Sequence, residues 1–530
     1  MNQQLKNLLL TGLAALLLSL PWLGIAPGWL LLGALVPLFI LEDELERAHP
    51  FNPYLIFNYA FAAFWLWHLI TVWWVLKVTL WGILFLSTAN AGIMAAIWWF
   101  FSRMKKRHNR QLANIALIAL WLSFEFLHHR WEIEWPWLCL GNGLAAQNKI
   151  IQWYELTGMA GGSLWILLSN ILIFSGWKKL KARQYLLTMG YSLLLLLLIG
   201  LPLMWSLHRY ANYAEEGKSI ELAVLQPNID PFTEKFSGMT AREQLTILLH
   251  LSDSVVSPQT QYVVAPETCL PELDEDNRLA ENPFIRPFVG RAKQAPRLNF
   301  ILGAMSRKQV NTSAALPAAA RYDSVKKQWY ELYNSALQVG SADTIAIYHK
   351  SILVAGVEKM PFQRYFRFLQ SLSLDLGGTT GSLGIQQSPT VFEATHRVAP
   401  VICFESLFGQ HLTAFVKKGA QFLAVITNDG WLPQPSGYRQ HLHISRIRAI
   451  ECRRSVVRSA NTGISAIINQ RGDVVQQTLW KQRTAFRGTI HLNDQLSFYV
   501  KYGDYIGRIA LFTGSLLLLY FISGSIMRKQ

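Results

Sequence analysis

The stretch QYLLTMGYSLLLLLLIGLPLMWS, residues 184–206, contains no Asp, Glu, Lys or Arg. A helix of roughly 20 apolar residues crosses the hydrocarbon core of a bilayer, so this run is predicted to be a membrane span. The whole chain of 530 residues is 51% hydrophobic and only 15% charged, whereas soluble domains carry about 25% charged residues. This composition excludes a plain soluble enzyme and a disordered chain, and four cysteines are too few for a disulfide-stapled fold.

Seven more apolar runs surround this stretch, and together they predict a polytopic α-helical bundle. The eight predicted spans are residues 5–20, 28–41, 54–76, 79–101, 112–128, 156–177, 184–206 and 508–526. The first two are short and predict a tight transmembrane hairpin. A cleavable secretory signal is the alternative for the first run, because Lys6 precedes it. Another apolar run rather than a mature domain follows it, which favours a span.

Lys and Arg residues in the connections predict the orientation of the spans. They cluster after the fourth and sixth spans, at Arg103, Lys105, Lys106, Arg107 and Arg110, and at Lys178, Lys179, Lys181 and Arg183. Basic loops stay on the cytoplasmic side, so both termini are predicted to be cytoplasmic and residues 207–507 to lie outside. The formal charge of +16 therefore reflects membrane topology, and no nucleic-acid partner is expected.

Residues 207–507 have the composition of a soluble domain, flanked by the seven-span segment 1–206 and the C-terminal span in 508–530. Short β-branched runs alternate there with helical patterns, notably residues 241–255 and 438–459. This alternation predicts an α/β fold.

Three of the predicted strands end in residues that carry chemistry. Glu267 follows the run 262–265, Lys350 follows 344–348, and Cys403 lies at the end of 400–404. In open α/β sheets the carboxyl ends of strands build the sites. A carboxylate accepts the proton of a thiol, and an ammonium group favours the thiolate and then holds the oxyanion of a tetrahedral intermediate. Each residue alone has a structural explanation; the three together predict a nucleophilic site.

Several segments carry a resemblance to a known family. Residues 265–268 (APET), 348–350 (YHK) and 401–405 (VICFE) resemble the nitrilase, or carbon-nitrogen hydrolase, superfamily. The spans on either side resemble its membrane-embedded members, the apolipoprotein N-acyltransferases. Further matching segments are residues 135–138 (WPWL) with Gly141, 226–229 (QPNI), Glu358, 427–431 (TNDGW) and 458–463 (RSANTG).

The resemblance implies an αββα sandwich for the outer domain, in a bacterial inner membrane, with neither cofactor nor metal. It implies that Glu267 is the general base, Lys350 the electrostatic stabiliser and Cys403 the nucleophile. A phospholipid would donate an acyl chain to Cys403, and the α-amino group of a diacylglyceryl-cysteine apolipoprotein would take it. The supporting residues it implies are Glu358, Glu405, Phe404, Phe236, Asn428 and Trp431.

This chain departs from the family pattern at three of these supporting positions. Residues 354–357 read VAGV where VPFG is common before Glu358. Phe404 replaces a common Tyr, and Phe236 replaces a common Trp, so an aromatic face is kept and a polar group is lost.

Two other functions and one local hypothesis remain open at this stage. The same three residues would serve a membrane-tethered amidase or nitrilase, and the spans would also suit a transporter with an outer binding domain. Residues 361–376 place Phe362, Tyr365, Phe366 and Leu369 at helical spacing, which suggests either an interfacial lid or an ordinary amphipathic helix packed on the domain. The Arg-rich segment 446–458 is interpreted as a helix with solvated and paired charges.

Overall fold

The computed structural model of the protein describes residues 2–49, 52, 54–215, 217–235, 238–311, 316–342, 344–359, 382–432 and 435–526. The chain forms two compact units. A helical unit comprises Met1–Trp131, Trp135–Tyr213 and Tyr502–Gln530. An α/β unit comprises Glu132–Glu134 and Ala214–Lys501.

The helical unit contains the apolar runs. Its helices are α1 (Gln3–Ser19), α2 (Val36–Ala48), α3 (Tyr54–Thr71), α4 (Leu80–Arg107), α5 (Arg110–Leu127), α6 (Tyr154–Lys181), α7 (Tyr185–Asn212) and, at the end of the chain, α13 (Tyr505–Ile526). Within the described ranges, six of these helices, α3 to α7 and α13, are long and apolar enough to cross a membrane. Helix α1 has 17 residues and is slightly shorter than those six.

The second predicted run, residues 28–41, is not one continuous helix, so the predicted hairpin of two short spans is wrong in this half. Gly28–Leu32 forms a 3₁₀ turn, and α2 begins only at Val36. The break is stabilised by Asn170 of α6, whose side chain accepts a hydrogen bond from Leu35 N at 2.7 Å and donates one to Leu31 O at 2.8 Å. These bonds replace helical ones, so the break leaves no unsatisfied backbone group there.

Acidic residues at the end of α2 form ion pairs with neighbouring helices. Lys105 of α4 lies 2.5 Å from Glu42, 3.1 Å from Asp43 and 2.7 Å from Glu46, and Lys178 of α6 lies 2.5 Å from Asp43. Because a buried carboxylate without a partner is costly, these cations position α2 against α4 and α6.

An irregular segment follows α5 and is held by polar side chains of the helices. Leu140 N donates to Glu125 at 2.8 Å, and Gly141 N donates to Ser163 Oγ at 2.8 Å. A Cβ on Gly141 would lie 2.1 Å from Met159 O, so only glycine allows this close approach. Non-helical backbone inside a membrane protein requires such internal partners.

The α/β unit contains fourteen strands and five helices in its described part. The strands are β1 (Ser219–Gln226), β2 (Thr260–Val264), β3 (Leu270–Asp274), β4 (Asn299–Gln309), β5 (Arg321–Asp323), β6 (Gln328–Val339), β7 (Ala346–His349), β8 (Phe392–Glu393), β9 (Arg397–Ile402), β10 (Phe422–Thr427), β11 (Val456–Ala460), β12 (Ala466–Ile468), β13 (Val474–Gln477) and β14 (Thr484–His491). The helices are α8 (Ala241–Val255), α9 (Arg286–Gln294), α10 (Gly409–Lys417), α11 (Pro435–Cys452) and α12 (Phe498–Tyr502).

These strands form two sheets that pack face to face. The first has the order β14-β1-β2-β4-β6-β5, with β3 paired to β4 and β7 to β6; the second has the order β13-β12-β11-β10-β9-β8. Val224 and Val264 of the first sheet share one buried core with Val401 and Val425 of the second. Helices α8 and α9 cover the outer face of the first sheet, and α10 and α11 pack against the second. The predicted αββα sandwich is therefore confirmed.

Parallel pairing places the site. Strands β1, β2 and β4 are parallel neighbours, as are β9, β10 and β11. Strand β10 (FLAVIT) is buried at every position, as expected for a parallel strand covered on both faces. Parallel strands within one sheet end at the same edge. The residues that follow β2 in the first sheet and β9 in the second meet where the two sheets face each other.

Candidate active site

Glu267, Lys350 and Cys403 lie at the ends of three strands and converge in the α/β unit. Glu267 follows β2, Lys350 follows β7, and Cys403 follows β9. Glu267 and Lys350 are buried, and Lys350 Nζ lies 3.4 Å from Glu267 Oε1. The Cys403 thiol is close enough to both for their charges to affect its pKa. Residues more than fifty positions apart in the chain thus share one site.

The Glu267 carboxylate is held by donors on both oxygens. Oε1 accepts from Asn334 Nδ2 at 2.7 Å as well as from Lys350, and Oε2 accepts from Asn428 N at 3.0 Å. Asn428 therefore contributes its backbone amide to the site. Its side chain contacts Asn461 Nδ2 at 3.2 Å and so braces the same turn.

Lys350 is shared between two carboxylates. Its Nζ donates to Glu358 Oε1 at 2.8 Å, and Asn334 Nδ2 bridges to the same oxygen at 3.1 Å. Burial alone would lower the pKa of Lys350, but Glu358, Glu267 and Cys403 outweigh burial and raise it. Lys350 is consequently a permanent cation at neutral pH.

Glu358 keeps this position although the preceding residues differ from the family pattern. Its Oε2 accepts from Val354 N at 2.8 Å, so the loop closes on its own backbone. Gly356 in this loop has φ of +83°, a conformation that favours glycine.

Cys403 has a strained backbone. Its φ is +51°, unusual for a residue with a side chain, and it begins a 3₁₀ turn that runs to Leu407. Burial and then Glu267 raise the pKa of the thiol, while Lys350 and the Thr427 hydroxyl oppose them. The resting sulfur is therefore protonated and needs a base when it attacks.

Glu405 braces the turn rather than the thiol. Its Oε2 accepts from Ile402 N at 2.8 Å, and its Oε1 accepts from Ser351 N at 2.7 Å and from Tyr348 Oη at 2.6 Å. Burial would raise the pKa of Glu405, but His411, Tyr348 and the Ile402 amide lower it overall. An ionised Glu405 thus connects the end of β7 to the end of β9.

Two of the aromatic residues implied by the resemblance, Phe404 and Trp431, pack against other aromatic rings. Phe404 is buried and packs edge-on against Phe408, with the ring centroids 5.3 Å apart. Trp431 packs against Phe232 at 5.0 Å. Phe236 and residues 361–376, the segment of the lid hypothesis, lie outside the described residues.

Two groups of site residues are missing from the sequence-based prediction. Asn334, in the middle of β6, donates to both Glu267 and Glu358. A polar residue in the buried half of this strand was the indication of such a role. The other group is a buried chain behind Cys403: Ser406 Oγ donates to Cys403 O at 2.7 Å and contacts His441 Nε2 at 2.8 Å, and Asp429 contacts His441 at 3.0 Å and Arg458 at 2.6 Å.

The Arg458 side chain belongs to that buried chain and pairs with Asp429, so the predicted pairing of charges is confirmed for this residue. The predicted helix and exposure to solvent are wrong for it, because Arg458 is buried in β11. Arg454 is also fully buried and donates to the carbonyl oxygen of Ala420 at 2.7 Å. Buried guanidinium groups with such partners stabilise the packing of β11 on its neighbours.

Family models match both units. The Carbon-nitrogen hydrolase model matches residues 221–495, and the model of the Apolipoprotein N-acyltransferase N-terminal domain matches residues 14–172. Curated relatives include the apolipoprotein N-acyltransferase of Chlorobaculum tepidum, 30% identical over 92% of this chain and 90% of that protein. That of Geobacter metallireducens is 26% identical with the same coverage of both chains.

Solved structures resemble the α/β unit at low identity. Nit3 of Saccharomyces cerevisiae, a member of branch 10 of the nitrilase superfamily, is 14% identical, covers 53% of this chain and 92% of its own, and has a TM-score of 0.36. The amidase of Nesterenkonia sp. is 12% identical and covers 55% of this chain and 97% of its own, with a TM-score of 0.35.

Proposed function

Since the chain belongs to the apolipoprotein N-acyltransferases within the carbon-nitrogen hydrolase family, we propose that Cys403 carries an acyl chain from a phospholipid to the N-terminal amine of a diacylglyceryl apolipoprotein. The single observation that supports this most directly is the convergence of Glu267, Lys350 and Cys403. The protein is a membrane enzyme whose substrates are lipids and lipoproteins.

In the first half-reaction Glu267 takes the thiol proton as the Cys403 sulfur attacks the ester carbonyl of the phospholipid. Lys350 stabilises the oxyanion electrostatically, a role that requires the permanent charge described above. The carbon-oxygen bond then breaks, Glu267 returns the proton to the departing alkoxide, and a lysophospholipid leaves. The products are a thioester on Cys403 and a regenerated carboxylate.

In the second half-reaction the neutral amine of the apolipoprotein attacks the thioester. Glu267 removes a proton from the attacking nitrogen, an amide bond forms, and the carbon-sulfur bond breaks. The thiolate then regains a proton from Glu267. One base therefore serves both halves. Because the lysophospholipid leaves before the amine attacks the thioester, we expect ping-pong kinetics.

The orientation and compartment are part of the proposal. The basic loops after the fourth and sixth predicted spans support cytoplasmic termini and a periplasmic α/β unit in a bacterial inner membrane. The membrane bundle supports a lipid donor over a small soluble amide, because one span suffices as an anchor for an amidase. The family assignment likewise favours the acyltransferase over a transporter.

Trapping the thioester tests the proposal. The purified full-length protein is incubated with a phospholipid labelled in its acyl chains, and the labelled peptide is identified after digestion. We expect label on Cys403 that hydroxylamine releases and that a diacylglyceryl lipopeptide with a free amine accepts. Cys403→Ala should abolish both the labelling and the transfer to the lipopeptide. Cys452→Ala, a matched change at a buried cysteine of helix α11, should retain both activities.

Two outcomes contradict the proposal. If both the Cys452→Ala and the Cys403→Ala proteins retain the acyl label, a residue other than Cys403 carries the acyl group. Rapid hydrolysis of small amides by the wild type, without transfer to the lipopeptide, would favour the amidase.

A further inference from the structure

A second lysine is buried behind the proposed base. Lys235 is only 8% exposed. Its backbone is fixed on both sides, because Lys235 N donates to Asp230 O at 2.9 Å and its carbonyl accepts from Gln244 Nε2 at 2.8 Å. The side chain shares a small cavity with Ile229, Leu248 and Cys269, which is an apolar setting for an ammonium group. Burying an ammonium group there costs free energy unless the group is hydrogen-bonded or paired with a nearby negative charge.

The Lys235 ammonium points at the segment that presents Glu267. Its Nζ donates a hydrogen bond to Thr268 Oγ1, directly after the base in the chain. Thr268 has φ of +47°, a strained conformation that needs support from its surroundings. This segment also lies against Gly303, where a Cβ would come within 2.6 Å of the Glu267 Cα. Lys235 and Gly303 therefore both contact the segment that carries the base.

Charge gives Lys235 a second role. Glu267 and Glu358 are two carboxylates that share the ammonium of Lys350. Lys235 also interacts electrostatically with Glu267. With it, these two carboxylates are matched by two ammonium groups. Without it, the thiol would lose its proton beside an uncompensated negative charge, which opposes formation of the thiolate.

We propose that Lys235 is a positioning residue, whose buried ammonium anchors Thr268 and keeps Glu267 in its proton-accepting form during attack by Cys403. This inference rests on the proposed roles of Glu267 and Cys403, and it extends them to a residue outside the three strand ends.

The titration of Lys235 offers a distinctive readout. Burial lowers its pKa to about 8, although Glu267 and Cys269 oppose the shift. Among the described residues, the groups whose charge acts on it are Glu267 and the Cys269 thiol. Burial raises the pKa of that thiol to about 12, so it stays neutral across the working range. On its own turn, Asp230 and Glu234 accept hydrogen bonds from backbone amides. The positive charge is thus present at pH 7 and lost above about pH 8.

The test compares Lys235→Arg and Lys235→Met in the full-length protein by two assays. The first is the rate at which iodoacetamide alkylates Cys403, followed by mass spectrometry, which requires no lipid substrate. The second is the rate of thioester formation from phospholipid across pH 6 to 9. Thermal unfolding in detergent measures any loss of structure separately.

Lys235→Met should slow alkylation of Cys403 at pH 7 about tenfold and move the acid limb of the thioester-formation profile to higher pH by about one unit, because the lost cation no longer offsets the negative charge of the site. Lys235→Arg keeps the positive charge, so iodoacetamide should alkylate Cys403 in this variant at a rate within about threefold of the wild-type rate. Its thioester formation should lack the decline that wild type shows above about pH 8, since a guanidinium does not deprotonate there.

Unchanged alkylation in Lys235→Met, or a decline above pH 8 that persists in Lys235→Arg, overturns the inference. If Lys235→Met fails to fold, the arginine profile still decides. If alkylation of Cys403 depends on Lys235 as expected but the wild-type protein forms no thioester, this inference stands and the proposed function is contradicted.

Discussion

At the scale of single residues, the site depends on where protons and charges are held. Lys350 lies between two carboxylates, and Asn334 donates to both of them. An amide at position 334 adds donors without adding charge. The protonated Cys403 thiol then has a base and a cation within reach, which is the arrangement that nucleophilic catalysis by a thiol requires.

Asn334→Asp changes only this balance. It puts a third carboxylate beside Lys350 and removes the amide donor, so the site carries more negative charge than the Lys350 ammonium offsets. We expect thioester formation at pH 7 to fall by about a hundredfold, with the acid limb of the profile moved upward. A pH series of single-turnover rates measures both effects.

Asn277→Asp, the same change at an exposed position, provides the control and should leave rate and profile unchanged. An Asn334→Asp profile that overlays the wild-type one would show that Asn334 has no electrostatic role.

At the scale of secondary-structure elements, Glu405 joins two strand ends. It accepts from Ile402 N at the end of β9, and from Tyr348 Oη in β7 and Ser351 N just after β7. The strained turn at Cys403 therefore depends on an acceptor that is two residues away in sequence and is also hydrogen-bonded to the other sheet.

Glu405→Gln should destabilise this junction, because the NH2 group of glutamine would face N–H and O–H groups that are themselves hydrogen-bond donors. We expect a loss of about 2 kcal/mol in unfolding free energy, seen as a lower midpoint of thermal unfolding in detergent. Thioester formation should fall with it, since the Cys403 turn loses its brace. Glu393→Gln, at an exposed position in β8, should change neither.

The pH dependence of stability follows from the same carboxylate. The pKa of Glu405 is lowered in the folded protein, so its contribution is fully present above the unfolded value of about 4.3 and is lost as pH falls toward the folded value. The difference in stability between wild type and Glu405→Gln should therefore shrink below about pH 4. A constant difference from pH 7 down to pH 3 would contradict this origin.

At the scale of the whole molecule, a membrane bundle and an α/β unit occur in one chain. The basic loops predict that the exposed surface of the α/β unit and the loop after α6 lie on opposite sides of the membrane.

Labelling of introduced cysteines checks that arrangement. Arg278→Cys lies at an exposed position of the α/β unit, and Lys181→Cys lies at the exposed end of α6. In spheroplasts a membrane-impermeant maleimide should label position 278 directly and position 181 only after permeabilisation, above the background of the parent protein. Equal labelling of both positions before permeabilisation would contradict the predicted topology.

Sequence alone determined the membrane character, the α/β class and the identity of the three residues at strand ends. Span length, charge bias and strand pattern are local properties, and residues 184–206 or 401–405 carry them without reference to the rest of the chain. The resemblance added the family and the αββα sandwich.

Only the tertiary structure decided which groups meet. Asn334 and Lys235 act on the site from positions far from the three strand ends in sequence, so no local pattern marks them. Likewise, the run 28–41 is apolar enough for one helix, yet Asn170 from α6 provides the hydrogen bonds that make its break favourable. Buried polar partners come from distant segments, and their positions follow from packing rather than from periodicity.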